Sequence, residues 1–420
     1  MSITKWKIFW NTGAQVIGRL VGAGTTFVVS LVIARAFGAQ GYGDFAKITT
    51  YVALFYLLAD FGMNAVYLRK AHELNESETN ETNRNAWREL LGVRVVSSIV
   101  LMFLALAILV FLPQGVGQGY TAAVRLGIIV FLPTILFQAI ITTANAAFQQ
   151  RLRYDFSAVA IVVGSLVTIA SVWTLVRIGA IGAVVGIEIG TLVTAGTSIF
   201  FVKKLSNMLH LTITRSALLS YFTQSLPLGL TLVFNLIYFR ADHLILTLSR
   251  STAEVGIYGL AYKVFEFPMA VPTFFMNSVY PLMVQEIRDK QKVISQKFTR
   301  FIKRSFFVLL ITSLLSLFTL WMAAPLLSTI RPEFVQSVGA LRVLSLGLPF
   351  FFLTSLTMWT MIALKRQKLL ALIYGSSMIV NVFLNVWLVP QHGYMAAAWI
   401  TVVSETLVLF ASGAFVLRYL

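Results

Sequence analysis

Hydrophobic residues along this chain gather into runs of about twenty, separated by short polar connections. At 1.5 Å per residue, a helix of that length crosses the roughly 30 Å hydrocarbon core of a bilayer. The pattern predicts twelve spans, at 11–34, 45–67, 93–112, 121–147, 157–176, 180–202, 219–241, 255–280, 304–324, 336–363, 369–389 and 394–417. Runs such as 93–112 and 369–389 are longer and more continuous than the core helices of soluble proteins. The expected fold class is an all-α integral membrane protein.

The polar connections alternate in charge. Lys5 and Lys7 precede the first span, Arg69, Lys70, Arg84 and Arg88 follow the second, and Arg151 and Arg153 follow the fourth. Lys203, Lys204 and Arg215 lie mid-chain, and Arg288, Lys290, Lys292, Lys297, Arg300, Lys303 and Arg304 follow the eighth. Lys365, Arg366 and Lys368 follow the tenth. The intervening connections are nearly bare, with no charge in 113–120 or 390–394. Basic residues near span ends stay in the cytoplasm. One orientation satisfies every loop: twelve crossings of the cytoplasmic (inner) membrane with both termini cytoplasmic. The first span is long enough to remain as a helix, so no cleaved signal peptide is expected.

Composition agrees with this reading. The chain is 58% hydrophobic and only 12% charged, where a soluble domain carries about 25%. Its formal net charge is +17, which in a membrane protein points to loops facing anionic lipid rather than to nucleic acid. Cysteine is absent, which excludes disulfides and thiol chemistry. The four histidines, His72, His210, His243 and His392, have no metal-ligand spacing. No glycine loop ends in Gly-Lys-Ser/Thr. No cofactor and no metal is expected. The bare connections are short and hold no clustered carboxylates, which argues against a glycan polymerase or a polyprenyl-dependent glycosyltransferase. An enzyme is not expected.

The sequence also repeats. Gly43-Asp44-Phe45-Ala46 matches Gly256-Ile257-Tyr258-Gly259, Val66-Tyr67 matches Val279-Tyr280, and Trp173 with Gly179 matches Trp387 with Gly393. These pairs lie 213 or 214 residues apart. A looser match sets Arg125 and Leu132-Pro133 against Arg342 and Leu348-Pro349. The halves expected are a six-helix lobe at 1–205 and a second at 206–420. Six is an even number, so the second lobe enters the membrane from the same side. A parallel repeat about an axis along the membrane normal follows, with a central cavity between lobes and alternating access as its natural use.

Ala34-Arg35-Ala36-Phe37-Gly38, Gly41-Tyr42-Gly43-Asp44-Phe45 and Asp60-Phe61-Gly62 resemble the opening of Wzx-type polysaccharide flippases, members of the multidrug/oligosaccharidyl-lipid/polysaccharide (MOP) exporter superfamily. Arg240-Ala241-Asp242 and Val255-Gly256-Ile257-Tyr258 continue the likeness. The resemblance implies translocation of an undecaprenyl-diphosphate-linked oligosaccharide to the outer leaflet, for O-antigen, capsule or other polysaccharide biosynthesis. It also implies a cationic central cavity; a polysaccharide synthase or polymerase is a candidate partner. The peptidoglycan-precursor branch adds two helices and clusters arginines in its first two. Here the second span carries acidic Asp60. A drug/cation antiporter of the same superfamily is the rival, and it would want carboxylates to dominate the interior.

A charge at the bilayer centre costs on the order of 3 kcal/mol, so charges that persist there face protein, a wet cavity or headgroups. Arg19, with Gly18, Gly22 and Gly24 nearby, is one candidate for the diphosphate, since a guanidinium fork suits bidentate phosphate binding. Its alternative is a glycine packing face, with Arg19 paired to Asp60. Lys263 and Arg240 are the other substrate candidates. Glu266 lies three residues from Lys263, the spacing of a surface ion pair. Asp60, Asp242, Glu188, Glu266 and Glu405 are candidates for ion coupling or gating. Arg125 and Arg342, near the ends of the fourth and tenth spans, are expected as headgroup anchors.

Overall fold

The computed structural model describes residues 3–75, 80–115, 117–206, 211–288 and 296–418. Lys290, Lys292 and His210 lie outside the described residues. The fold is helical; the extended pairing found among the described residues is a single bridge between Gln114 and Gly119.

Among the described residues, fourteen α-helices account for the spans. They are α1 (Ile3–Asp60), α2 (Met63–Asn75), α3 (Asn80–Phe111), α4 (Ala122–Phe131), α5 (Thr134–Gln150), α6 (Tyr154–Leu175) and α7 (Ala180–Ser206). The remainder are α8 (Arg215–Ser249), α9 (Thr252–Glu266), α10 (Ala270–Arg288), α11 (Gln296–Ala323), α12 (Val335–Leu346), α13 (Leu348–Ala363) and α14 (Gln367–Leu417). Two helices each contain two spans folded at a glycine: α1 turns at Gly38 (φ 67°) and α14 at Gly393 (φ 64°). A side chain there would be strained, because positive φ crowds a Cβ against the backbone. Conversely, α4–α5, α9–α10 and α12–α13 are single spans broken midway. Among the described residues, nine helical segments are long and apolar enough to cross a membrane. Gly13–Ala71 and Gln367–Leu417 each hold two of the expected spans, while the expected span 255–280 falls on α9–α10, outside those nine. The chain is an all-α membrane protein with the twelve-helix fold.

The repeat is visible in where helices break. Leu132-Pro133 separates α4 from α5, and Gly347 followed by Leu348-Pro349 separates α12 from α13. In each case proline lacks the N–H that an unbroken helix needs. The second span of each half is also broken, at Phe61-Gly62 and at the 3-10 turn Phe267–Met269. Gly179 and Gly393, matched by sequence, both take positive φ, 108° and 64°.

Packing divides the chain into two compact units: Met1–Phe37 with Asp44–Leu236, and Gly38–Gly43 with Ile237–Leu420. The longer segment of the second unit thus begins inside α8, whereas the expected lobe boundary at 205/206 falls at the C-terminal end of α7. Within the first unit, α6 and α7 meet through small residues. A Cβ on Gly164, Gly186 or Gly190 would strike Thr194, Val172 or Thr168 respectively. Close approach of this kind is how helices associate in lipid, where apolar burial supplies little drive. The first unit's core gathers Trp87, Tyr67, Phe148 and Tyr221. Their polar atoms are satisfied: Trp87 Nε1 donates to Thr143 O (3.0 Å), Tyr221 Oη to Ala86 O (3.2 Å), and Tyr67 Oη to Gln150 Oε1.

Candidate functional site

Three of the predicted residues come together in the second unit. Lys263 Nζ donates to Glu266 Oε2 at 2.9 Å, and Arg240 Nη2 lies 3.5 Å from Glu266 Oε1. Their side chains are 24% (Arg240), 30% (Glu266) and 33% (Lys263) exposed. The group is therefore accessible. It carries two positive charges and one negative, within a helical segment otherwise rich in Tyr and Phe.

The depth of this group differs from the sequence expectation. An apolar run ending at 241 puts Arg240 at the mouth of the seventh span. Instead α8 continues to Ser249, so Arg240 lies nine residues in, about 13 Å along the axis. Lys263 lies eleven residues into α9, about 16 Å from its start. For Arg240, a simple headgroup anchor would not sit so far from a helix end. The run looks terminated because Asp242 and His243 read as an interface, but both are buried and satisfied within the protein.

Asp242 and Arg240 point in different directions, as their spacing on a helix requires. Asp242 Oδ1 accepts from the His243 backbone N–H (2.7 Å) and contacts His243 Nδ1 (3.1 Å). Its Oδ2 accepts from Tyr258 Oη (2.5 Å). The His243 ring packs against Tyr258 and Tyr262, with both centroids 4.8 Å away. His243 is thus a member of the site that spacing alone does not mark. Glu405, on α14, is buried and accepts from Tyr238 Oη (2.9 Å). Nearby on the same helix, Asn381 Nδ2 donates to Ser404 Oγ (3.0 Å) and Asn385 Nδ2 to Asn381 Oδ1 (3.1 Å). Asn385 Oδ1 is buried without a hydrogen-bond partner. Among the described residues, no group of three or more His, Cys, Asp or Glu is placed to hold a metal ion.

In the first unit, Asp60 pairs with Arg94 and not with Arg19. Arg94 is fully buried, and its guanidinium also donates to Thr143 Oγ1 and Asn64 Oδ1, both at 3.1 Å. Sequence reasoning misses Arg94 because it stands second in the apolar run 93–112. With α3 starting at Asn80, it lies a full fourteen residues inside the helix. Arg19 is exposed, and its charge acts on the Tyr154 hydroxyl. Gly18 and Gly22 face α6 instead, where added Cβ atoms would lie 3.3 Å from Ala158 Cα and 3.7 Å from Ile161 Cγ2. These two glycines are a packing face, and Arg19 projects off it. Glu188 rests near the Thr134 backbone at the α4–α5 break, with Oε1 buried and unpartnered.

The two residues expected as headgroup anchors also make contacts within the protein. Arg125 donates to Tyr120 O (3.0 Å) and Leu112 O (2.5 Å), tying down the turn before α4. Arg342 lies over the Trp321 ring at 5.5 Å. Both are engaged within the protein, where they satisfy carbonyls and an aromatic face.

Residues 6–287 match the family described as polysaccharide biosynthesis protein, and residues 227–387 match the MatE family. No match is found among curated proteins. Among solved structures, the lipid II flippase MurJ in an inward closed conformation superposes with a TM-score of 0.79. It shares 15% identity, over 98% of this chain and 87% of that one. A multidrug resistance MATE family transporter of the MOP superfamily, inward-facing, gives 0.72 at 13% identity, over 96% and 95%. The MATE multidrug transporter DinF-BH gives 0.69 at 19%, over 99% and 96%. At such identities the structures establish the fold, while the family match spans well over half the chain. That match, over residues 6–287, places this chain in the polysaccharide biosynthesis protein family.

Proposed function

We propose that this chain is a flippase that moves a polyprenyl-diphosphate-linked oligosaccharide from the inner to the outer leaflet of the cytoplasmic membrane. Its place would be O-antigen, capsule or exopolysaccharide biosynthesis, beside a polysaccharide polymerase or synthase. The observation that carries this reading is the accessible pair of cations, Arg240 and Lys263, set well inside the helical bundle. Guanidinium and ammonium at that depth suit a diphosphate, and fixed cations would repel a cationic drug. Arg19, on the first unit, is a separate candidate cation. The polyprenyl tail stays in lipid while the lobes alternate in exposing the headgroup to the two sides. With both termini cytoplasmic, the basic connections face the leaflet from which the cargo enters.

Ion coupling belongs to the buried polar groups. Asp242 and Glu405, with the amides of Asn381 and Asn385, offer oxygen donors of the kind that hard cations or protons use. Asp60 has a weaker claim, since Arg94 already neutralises it. A drug/cation antiporter is the second reading, favoured by the MatE match over 227–387. Proteoliposomes separate the two. The flippase reading expects lectin or glycosidase access to a polyprenyl-diphosphate oligosaccharide to rise with this protein present. The antiporter reading expects gradient-driven movement of a cationic dye and no change in glycan access.

A further inference from the structure

Glu266 stands between the two candidate cargo cations. Each carboxylate oxygen addresses one of them, Oε2 to Lys263 at 2.9 Å and Oε1 to Arg240 at 3.5 Å. A carboxylate and a phosphate offer the same thing to these donors, two anionic oxygens on one centre. Glu266 therefore fills, from within the chain, the position that an anionic headgroup would take. The three side chains share similar partial exposure, so an incoming headgroup meets the carboxylate and both cations together.

We propose that Glu266 is an internal counter-ion that competes with the diphosphate of the cargo for Arg240 and Lys263. The inference rests on the assignment of those two residues to the cargo. Its physical basis is that like charges held close together are less costly with an anion between them. Without Glu266, an empty transporter would hold the Arg240 and Lys263 charges with one anion fewer beside them. With Glu266 present, one anion is exchanged for another, and the net affinity is the difference between them. That difference suits transport, in which cargo must bind well enough to enter and weakly enough to leave. A binding protein for the same headgroup would gain nothing from such a residue.

The direct experiment measures inorganic pyrophosphate binding to the full chain in lipid nanodiscs, beside turnover of lipid-linked glycan in proteoliposomes. Glu266→Gln keeps the shape and removes the charge. It should tighten pyrophosphate binding about tenfold, the size of a charge-assisted contact, and slow turnover. Glu266→Asp keeps the charge and should bind as the unmodified chain does, which separates lost charge from disturbed packing. Unchanged or weaker binding in Glu266→Gln, with binding lost in Arg240→Ala and Lys263→Ala, would overturn the counter-ion role and leave the cation site standing. Unchanged binding in all three variants would remove the cation site as well.

Discussion

The backbone N–H of Ala39 donates to Glu333 Oε2 at 2.6 Å, across 294 residues of sequence. Gly38 turns the chain with φ 67°, which leaves the helical stretch after it with orphan N–H groups, and the distant carboxylate caps them. At Gly393, too, an ion pair, Arg250 with Glu254, closes around the turn. Loss of the cap in Glu333→Ala should cost about 1–2 kcal/mol. Gly38→Ala should cost more, because a Cβ would add strain at positive φ and strike the Glu333 carboxylate. Thermal unfolding in detergent, with the two variants ranked in that order, is the check.

Arg94 is fully buried and pairs with Asp60, whose side chain is 36% exposed. Asp60→Ala would leave a fully buried guanidinium with only Thr143 Oγ1 and Asn64 Oδ1 as acceptors. The loss should fall below the roughly 3–5 kcal/mol of a fully buried pair, because Asp60 is partly exposed to solvent. The variant should give less folded protein, and Asp60→Ala combined with Arg94→Leu should recover much of the loss. Yield and melting temperature of the single and double variants decide the matter. A single variant that folds normally but no longer transports would return Asp60 to an ion-coupling role.

Glu405 offers a cleaner view of coupling. Glutamine at this position still accepts from Tyr238 Oη, so the fold should hold. If the carboxylate carries the coupling ion, Glu405→Gln will flip cargo at a rate that no longer responds to an imposed proton or sodium gradient. A variant whose rate follows the gradient as before would exclude this residue.

Much of the architecture is legible in the sequence because bilayer thickness, run length and the placement of Lys and Arg are such blunt constraints. The spans, their number and the repeat all follow from them. Breaks are harder to see. Proline at 133 and 349 marks two of them, but Gly38 and Gly393 fold two spans into one continuous helix, and local composition does not distinguish that from a loop. The end of α8 is hidden because Asp242 and His243 look like a membrane boundary to any scale that scores residues singly. Their partners, Tyr258 and Tyr262, lie on the next helix. Arg94 escapes notice for the mirror reason: it sits at the edge of an apolar run whose helix starts well before the run does. Only the Lys263–Glu266 contact can be anticipated outright, since spacing of three on a helix makes neighbours. Its link to Arg240 needs tertiary structure.

Arg19, Arg240 and Lys263 should each matter to transport and not to folding, since each is at least partly exposed. Alanine at any one should lower glycan flipping by about tenfold or more, the loss of one charge-assisted contact to phosphate, with normal membrane insertion and melting temperature. Full activity in all three would remove the assigned site.

Flipping is tested most directly by the fate of lipid-linked glycan in cells that lack this protein, with outer-leaflet exposure scored separately from total amount. The expected result is precursor trapped on the cytoplasmic side, released by the intact chain and not by Arg240→Ala or Lys263→Ala. Normal exposure of the glycan, with altered sensitivity to cationic compounds in its place, would contradict the flippase role and assign the chain to drug or cation export.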